Sequence, residues 1–191
     1  FNFGIKSDGD PEFSPDGKWI AFESDRSGKP DIWVVSTSGR DLRRVTTDER
    51  TNTGPSWSTD GQWLVYDSGG GNQADIRIIS VSGGKPRQLL QNEWADWLPD
   101  WSPDGEKIVF TSNRTGNWDI WQITREGTSQ KQLTDDPAFD FCPQWSPNGA
   151  EIAFISSRSG AKNVWIMSAD GTNARQVTHF EKEGIGRTIG W

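Results

Sequence analysis

Three tryptophans, Trp94, Trp97 and Trp118, stand beside Glu93, Asp96 and Asn117, and two phenylalanines flank a carboxylate in the run Phe139, Asp140, Phe141. A half-exposed indole offers a broad apolar face and one N–H donor at its edge, so clustered rings rimmed by carboxylates can stack on a partner and orient it. The chemistry this suggests is binding of a protein or peptide, with a glycan as the alternative, because exposed Trp beside acids also suits a sugar ring. The same residues have a structural reading in which the rings pack loops onto the frame beneath them. Asp48, Glu49, Glu93, Asp96, Asp135, Asp136, Asp140, Glu181 and Glu183 carry enough carboxylate oxygens to hold Ca²⁺. None of their spacings matches an ion-binding loop, so a solvated acidic rim and no cofactor are expected.

Catalysis has little to work with. His179 is the single histidine, no Gly-x-Ser-x-Gly elbow occurs, and Cys142 precedes Pro143 with no imidazole near it in its own part of the chain. The chain is expected not to be an enzyme, and a triad would need residues from outside it. Twenty Lys and Arg against 27 Asp and Glu give a net charge of −7, with the basic residues scattered. Nucleic-acid affinity rests on clustered cations, so no nucleic-acid partner is expected. No apolar run approaches the roughly 18 residues of a membrane span and no basic-then-apolar leader precedes Phe1, which predicts a soluble chain whose export signal is removed or was never there. One cysteine excludes an internal disulfide. Asn113-Arg114-Thr115 is a glycosylation acceptor only in a eukaryotic export pathway.

The elements that must position these residues repeat every 44 residues. Ser14, Ser58, Ser102 and Ser146 open the turns SPDG, STDG, SPDG and SPNG, each preceded by an aromatic residue, Phe13, Trp57, Trp101 or Trp145. In these turns Pro presets the first corner, Asp bonds its own backbone and Gly takes the left-handed position that closes a hairpin. Strands such as "KWIAFES" and "EKIVFTS" follow, then "DIWVVS", "DIRIIS", "DIWQIT" and "NVWIMS", then a hairpin glycine and a last strand such as "ARQVT". No ten-residue stretch has helical periodicity, so the class is all-β. Each unit is four short strands with apolar residues on both faces: Ile20 and Phe22 project to one side, Trp19 and Ala21 to the other. Such a sheet needs cover on both sides, and radial stacking of like sheets, a β-propeller, supplies it. The blades are placed at about 11–47, 55–91, 99–135 and 143–179 within a single segment 1–191, with 185–191 starting a further innermost strand and Phe1–Phe3 ending an outermost one. Both ends stop inside the pattern. A piece of a longer propeller is therefore expected, with a two-copy eight-bladed ring or four closed blades as alternatives. Uncovered blade faces should make an isolated segment self-associate.

The units resemble the WD40-like propeller repeats of the TolB family, PD40. The residues that carry this are "WSPDG" at 101–105, "SDRSG" at 24–28, "SNRTG" at 112–116, and "DIW" at 31–33 and 119–121. The second unit departs most, with Thr59 for Pro, "SGGG" at 68–71 for Ser-x-Arg-x-Gly, and Arg77 for Trp. "SPDGKW" is also similar to the Asp box of sialidases, but Gly follows Asp directly and the match fails. The resemblance implies a non-catalytic binding scaffold outside the cytoplasm, periplasmic or secreted, or else the substrate-gating propeller of a serine peptidase or other hydrolase; the fold itself hosts many functions.

In a propeller the SPDG turns and the Gly39-type hairpins lie on one face, and their near-uniformity reads as scaffold. The loops of the other face differ in every unit, and variable loops on a repeated frame are where binding is usually placed. Nine of the 12 tryptophans occupy repeat columns and read as core. Trp94, Trp97 and Trp118 have no Trp counterpart in another unit and fall on the variable face, so the candidate ligand face is these three with Asp96, Asp140, Phe139 and Phe141. Glu12, Ser56, Asp100 and Gln144 share an innermost-strand column directed at the axial channel, where water or a cation is an option. Asp31, Asp75 and Asp119 follow Arg26 or Arg114 closely enough for loop ion pairs.

Overall fold

The computed structural model describes residues 7–181. The strands expected at Phe1–Phe3 and 185–191, and Glu183 of the acidic rim, lie outside the described residues. Within them, four antiparallel four-stranded sheets follow one another in chain order. Blade 1 is β1 (Asp8–Phe13), β2 (Trp19–Ser24), β3 (Asp31–Ser36) and β4 (Arg43–Arg44). Blade 2 is β5 (Asn52–Trp57), β6 (Trp63–Ser68), β7 (Asp75–Ser80) and β8 (Arg87–Gln88), with a 3₁₀ turn at Gly71–Gln73. Blade 3 is β9 (Asp96–Trp101), β10 (Lys107–Ser112), β11 (Asp119–Thr124) and β12 (Lys131–Gln132). Blade 4 is β13 (Asp140–Trp145), β14 (Glu151–Ser156), β15 (Asn163–Ser168) and β16 (Arg175–Gln176). The all-β propeller of four-stranded blades is as the repeats predict.

Local chemistry accounts for the turns and strand starts. In each SPDG-type turn the Ser hydroxyl donates to the side chain two residues on, Ser14 to Asp16 at 2.7 Å and Ser146 to Asn148 at 2.8 Å. It also accepts the amide that begins the next strand, Trp19 and Glu151 at 2.9 Å. The innermost strands begin three residues before the prolines that had marked their start. Each contains a bulge between Gly9/Glu12, Thr53/Ser56, Trp97/Asp100 and Phe141/Gln144, where Asp10, Gly54, Leu98 and Cys142 take φ of 44°, 57°, 51° and 54°. An unpaired bulge residue needs no ladder donor, so Pro11, Pro55, Pro99 and Pro143 sit there at no cost in hydrogen bonds.

The core lies between blades. Ala21, Ile32, Val34 and Val45 of blade 1 meet Trp57, Leu64, Tyr66 and Ile79 of blade 2. The same columns recur as Val65, Ile76, Ile78 and Leu89 against Trp101, Ile108, Phe110 and Ile123, and as Val109, Ile120 and Leu133 against Trp145, Ile152, Phe154 and Met167. The innermost strands neighbour in the order β1, β5, β9, β13, and no comparable contact joins β13 to β1 among the described residues. Phe13 is accordingly 64% exposed, whereas its counterparts Trp57, Trp101 and Trp145 are 5, 5 and 7% exposed.

The hairpin glycines show how tightly blades approach. Gly127 has φ 85°, and a Cβ there would lie 2.4 Å from the Leu89 carbonyl oxygen of blade 2; Gly39, φ 76°, has nothing within 4 Å. Both substitutions incur the left-handed penalty of about 1 kcal/mol, but only Gly127→Ala must also push backbone away. Chemical denaturation should show Gly127→Ala costing about 2 kcal/mol more than Gly39→Ala, and equal losses would contradict this blade spacing.

Candidate functional site

The face built from the variable loops carries its aromatic residues on blades 3 and 4. Trp97, on β9, and Trp118, just before β11, flank the end of β10 and stack with ring centroids 4.3 Å apart and planes inclined by 24°. The Trp97 indole N–H reaches across to blade 2 and donates to the Gly71 carbonyl at 3.2 Å. Trp94 stands in the loop before β9 with 41% of its surface exposed, its amide donating to Asn92 Oδ1 at 2.8 Å. Phe139 is 55% exposed, and Phe141 lies under the Lys162 ammonium, 5.7 Å from the ring centroid.

These pairs occupy equivalent places. Trp97 and Phe141 share one repeat column and Trp118 and Lys162 another, with Gly9 and Thr53, and Pro30 and Ala74, in the first two blades. An aromatic pair in blade 3 thus becomes a cation–π pair in blade 4, and small residues stand there in blades 1 and 2. Lys162 was not singled out from the sequence; only its column, read against Trp118, points to it.

Asp96 and Asp140 do not border this face as the sequence reading expected. Both are fully buried: Arg114 reaches Asp96 at 2.8 Å, Arg158 reaches Asp140 at 2.6 Å, and Asn92 donates to Asp96 at 2.8 Å. Burial raises the Asp140 carboxyl, with the Ser156 hydroxyl and Arg158 opposing it. Among the described residues, the exposed acids of the face are Glu49, Glu93, Asp135 and Glu181. The loop ion pairs expected of Arg26 and Arg114 are also re-partnered. Arg26 binds Asp8 at 2.7 Å, because the arginine folds back over its own Ser24 or Ser112 onto the innermost strand. Asp31 takes Lys29 and Arg44 instead, Asp75 takes Arg50, and Asp119 accepts from Thr115, Gln132 and Thr134.

The innermost column bonds blade to blade. Glu12 accepts the Trp57 amide at 3.1 Å, Ser56 accepts the Trp101 amide at 3.2 Å, and Asp100 accepts the Trp145 amide at 2.7 Å and the Ser56 hydroxyl at 3.0 Å. Burial, with the neighbouring Asp100 charge, raises the Glu12 carboxyl well above its usual range, and burial pushes Asp100 up to about 6. One further carboxylate escaped the sequence reading. Asp67, on β6, caps the Leu98 bulge amide at 3.2 Å and accepts the Thr53 hydroxyl, and burial pushes it up to about 7. Its column holds Glu23, Thr111 and Ile155, so only its burial beneath the next blade's bulge marks it out.

Among the described residues no group of three or more His, Cys, Asp and Glu converges as a metal site, and no helix is long and apolar enough to cross a membrane. Cys142 is buried in β13, and His179 is exposed beyond β16, at the opposite edge of the same sheet. This arrangement can stack on and hold a partner.

The family model for the TolB beta propeller domain, PD40, matches residues 2–97 and 91–187. The Tol-Pal system protein TolB of Syntrophus aciditrophicus is 54% identical over 37 residues, 19% of this chain and 8% of that protein. A solved structure of putative TolB from Agrobacterium tumefaciens superposes with TM-score 0.79 at 30% identity, over 87% of this chain and 63% of that one. Puromycin hydrolase superposes with TM-score 0.75 at 18% identity, over 98% of this chain and 33% of that one, a likeness of fold alone. The chain thus spans less than two thirds of each of these relatives.

Proposed function

The chain belongs to the PD40 family of TolB β-propeller domains, and from that premise we propose that it is a non-catalytic scaffold whose variable-loop face holds a segment of another protein across blades 3 and 4. The observation that carries this reading is the Trp97–Trp118 stack beside exposed Trp94 and Phe139, rings that the scaffold columns do not require. A Trp side chain buries on the order of 200 Å² when covered, at about 25 cal/mol per Å², so three partly exposed indoles supply several kcal/mol before association costs. That sum supports micromolar binding only with polar help. Glu49, Glu93, Asp135 and Glu181 favour a segment bearing Lys or Arg, with an on-rate that falls as salt rises. A glycan has less to stack on, since Trp97 and Trp118 turn one face each toward the other. An extracytoplasmic location belongs to the same reading.

Selection of a phage-displayed random peptide library against the chain should yield basic peptides whose affinity falls at least tenfold in Trp97→Ala and Trp94→Ala. Trp145→Ala, a change in the core between blades 3 and 4, should lower thermal stability and leave affinity within about twofold at a temperature where it is folded. Peptides indifferent to both loop variants would sink the assignment.

A further inference from the structure

We propose a second interaction site on the opposite face: the cleft between the SPDG-type turns of blades 1 and 2 receives an arginine side chain from a partner protein, laid against Trp57 and paired with the acids of the two turns. The template is internal. Between blades 2 and 3, Arg125 lies with its guanidinium 6.0 Å from the centre of the Trp101 ring. The Ser58 hydroxyl, the Gln62 amide and the Arg125 charge together hold the Asp60 carboxyl below its usual range. One repeat earlier the corresponding residues are Val81, Trp57 and Asp16. The ring and the turn carboxylate are kept there, while Arg125 and Glu126, which approach each other at 3.8 Å, are replaced by Val81 and Ser82.

A cavity of about 280 Å³ opens at that place, lined by Asp16, Trp19, Trp57, Thr59, Asp60 and Val81 among others. Arg43 also lines it, but its guanidinium lies over Trp19 at 5.7 Å and donates to the Val81 carbonyl. Its counterpart Arg87 donates likewise to the Arg125 carbonyl at 2.7 Å, so the two arginines coexist in the template. Lys18 approaches Asp16 at 3.4 Å, but both side chains are more than half exposed and such a pair is largely screened. A guanidinium is the matching ligand because it is planar, weakly hydrated and able both to stack on an indole and to bond a carboxylate; an ammonium does only the second well.

The probe is N-acetyl-arginine-methylamide, followed by the indole N–H signals of Trp57 and Trp19 in a ¹⁵N spectrum. The expected result is saturable shifts in the millimolar range, with the lysine analogue several-fold weaker. Val81→Arg places the Arg125 side chain one repeat earlier and should weaken binding at least tenfold. Arg125→Val opens the equivalent cleft and should add a second set of shifts at Trp101 with doubled stoichiometry. Trp97→Ala should change neither, which separates this site from the variable-loop face. Absence of shifts at Trp57, undiminished binding in Val81→Arg, or an unaltered response in Arg125→Val would each overturn the proposal.

Discussion

Arg114→Met should be among the most destabilising single changes in this chain, by about 3–5 kcal/mol, whereas the same change at Arg26 should cost about 1 kcal/mol or less. The two arginines hold the same place in blades 1 and 3 and differ in burial. Arg114 and Asp96 are 7 and 0% exposed in their side chains; Arg26 and Asp8 are 23 and 54% exposed. Arg114 lies over Phe110 at 5.3 Å and Trp121 at 4.6 Å, so methionine would keep much of the apolar packing while stranding the Asp96 charge. Leaving one member of a buried pair uncompensated is what makes the loss large. Arg158→Met should resemble Arg114→Met, since Arg158 and Asp140 are 16 and 0% exposed. For a domain of this size the buried pair corresponds to a fall in Tm of roughly 10 °C. Thermal melts of the three variants test this, and equal losses at Arg26 and Arg114 would contradict it.

Blade 2 shows the same logic in reverse. The arginine position holds Gly70, the carboxylate position holds Asn52, and the Trp on which the arginine would lie is Arg77, which pairs with Asp48 at 3.4 Å. Removal of the guanidinium and of its buried partner together leaves no stranded charge. The Asn52 amide N–H₂ donates to Asp31, Asp48 and the Arg50 carbonyl, while its Oδ1 is buried without a partner among the described residues.

Asp67→Asn should stabilise the chain at pH 8 and flatten its stability against pH. Burial pushes Asp67 from 3.8 up to about 7, ahead of the opposing hydrogen bonds from Thr53 and Leu98. Because the folded state holds this proton more tightly than the unfolded chain, its contribution is most favourable below pH 3.8 and is lost as pH rises through about 7. At about 1.4 kcal/mol per pH unit, that interval amounts to roughly 4 kcal/mol. Asparagine stands in for the protonated acid at every pH and removes this slope. Asp100, raised to about 6 by burial, adds a smaller slope of the same sign that the variant retains. Urea titrations at pH 4.5 and 8 decide it: a variant less stable than the parent at pH 8 would mean that the folded protein favours the Asp67 carboxylate.

Why some of this was legible in the sequence and some was not follows from distance along the chain. The SPDG turns are local chemistry, closed by hydrogen bonds two to five residues long, and the repeat announced the blades and the inter-blade columns of Trp57, Trp101 and Trp145. Arg114 sits five positions before Asp119 and 18 after Asp96, and proximity along the chain points to the nearer acid. The actual partner is nearer in space because β9 pairs with β10 and sets Asp96 opposite Ser112, where the arginine turns back. The repeat puts Trp97 and Trp118 on one face, but their stacking depends on β10 ending between them, which no period reveals. Asp67 depends on a bulge in the next blade, and irregular backbone leaves no mark in a pattern of residue types.

Whether the variable loops of blades 3 and 4 hold a partner is tested most directly by amide hydrogen exchange of the chain with and without a peptide selected from the displayed library. Added protection is expected in residues 93–98, 116–118 and 138–141, with the SPDG-type turns unchanged. Protection confined to those turns, or spread evenly over all four blades with the variable loops no more protected than the rest, would contradict the assignment of this face as the binding surface.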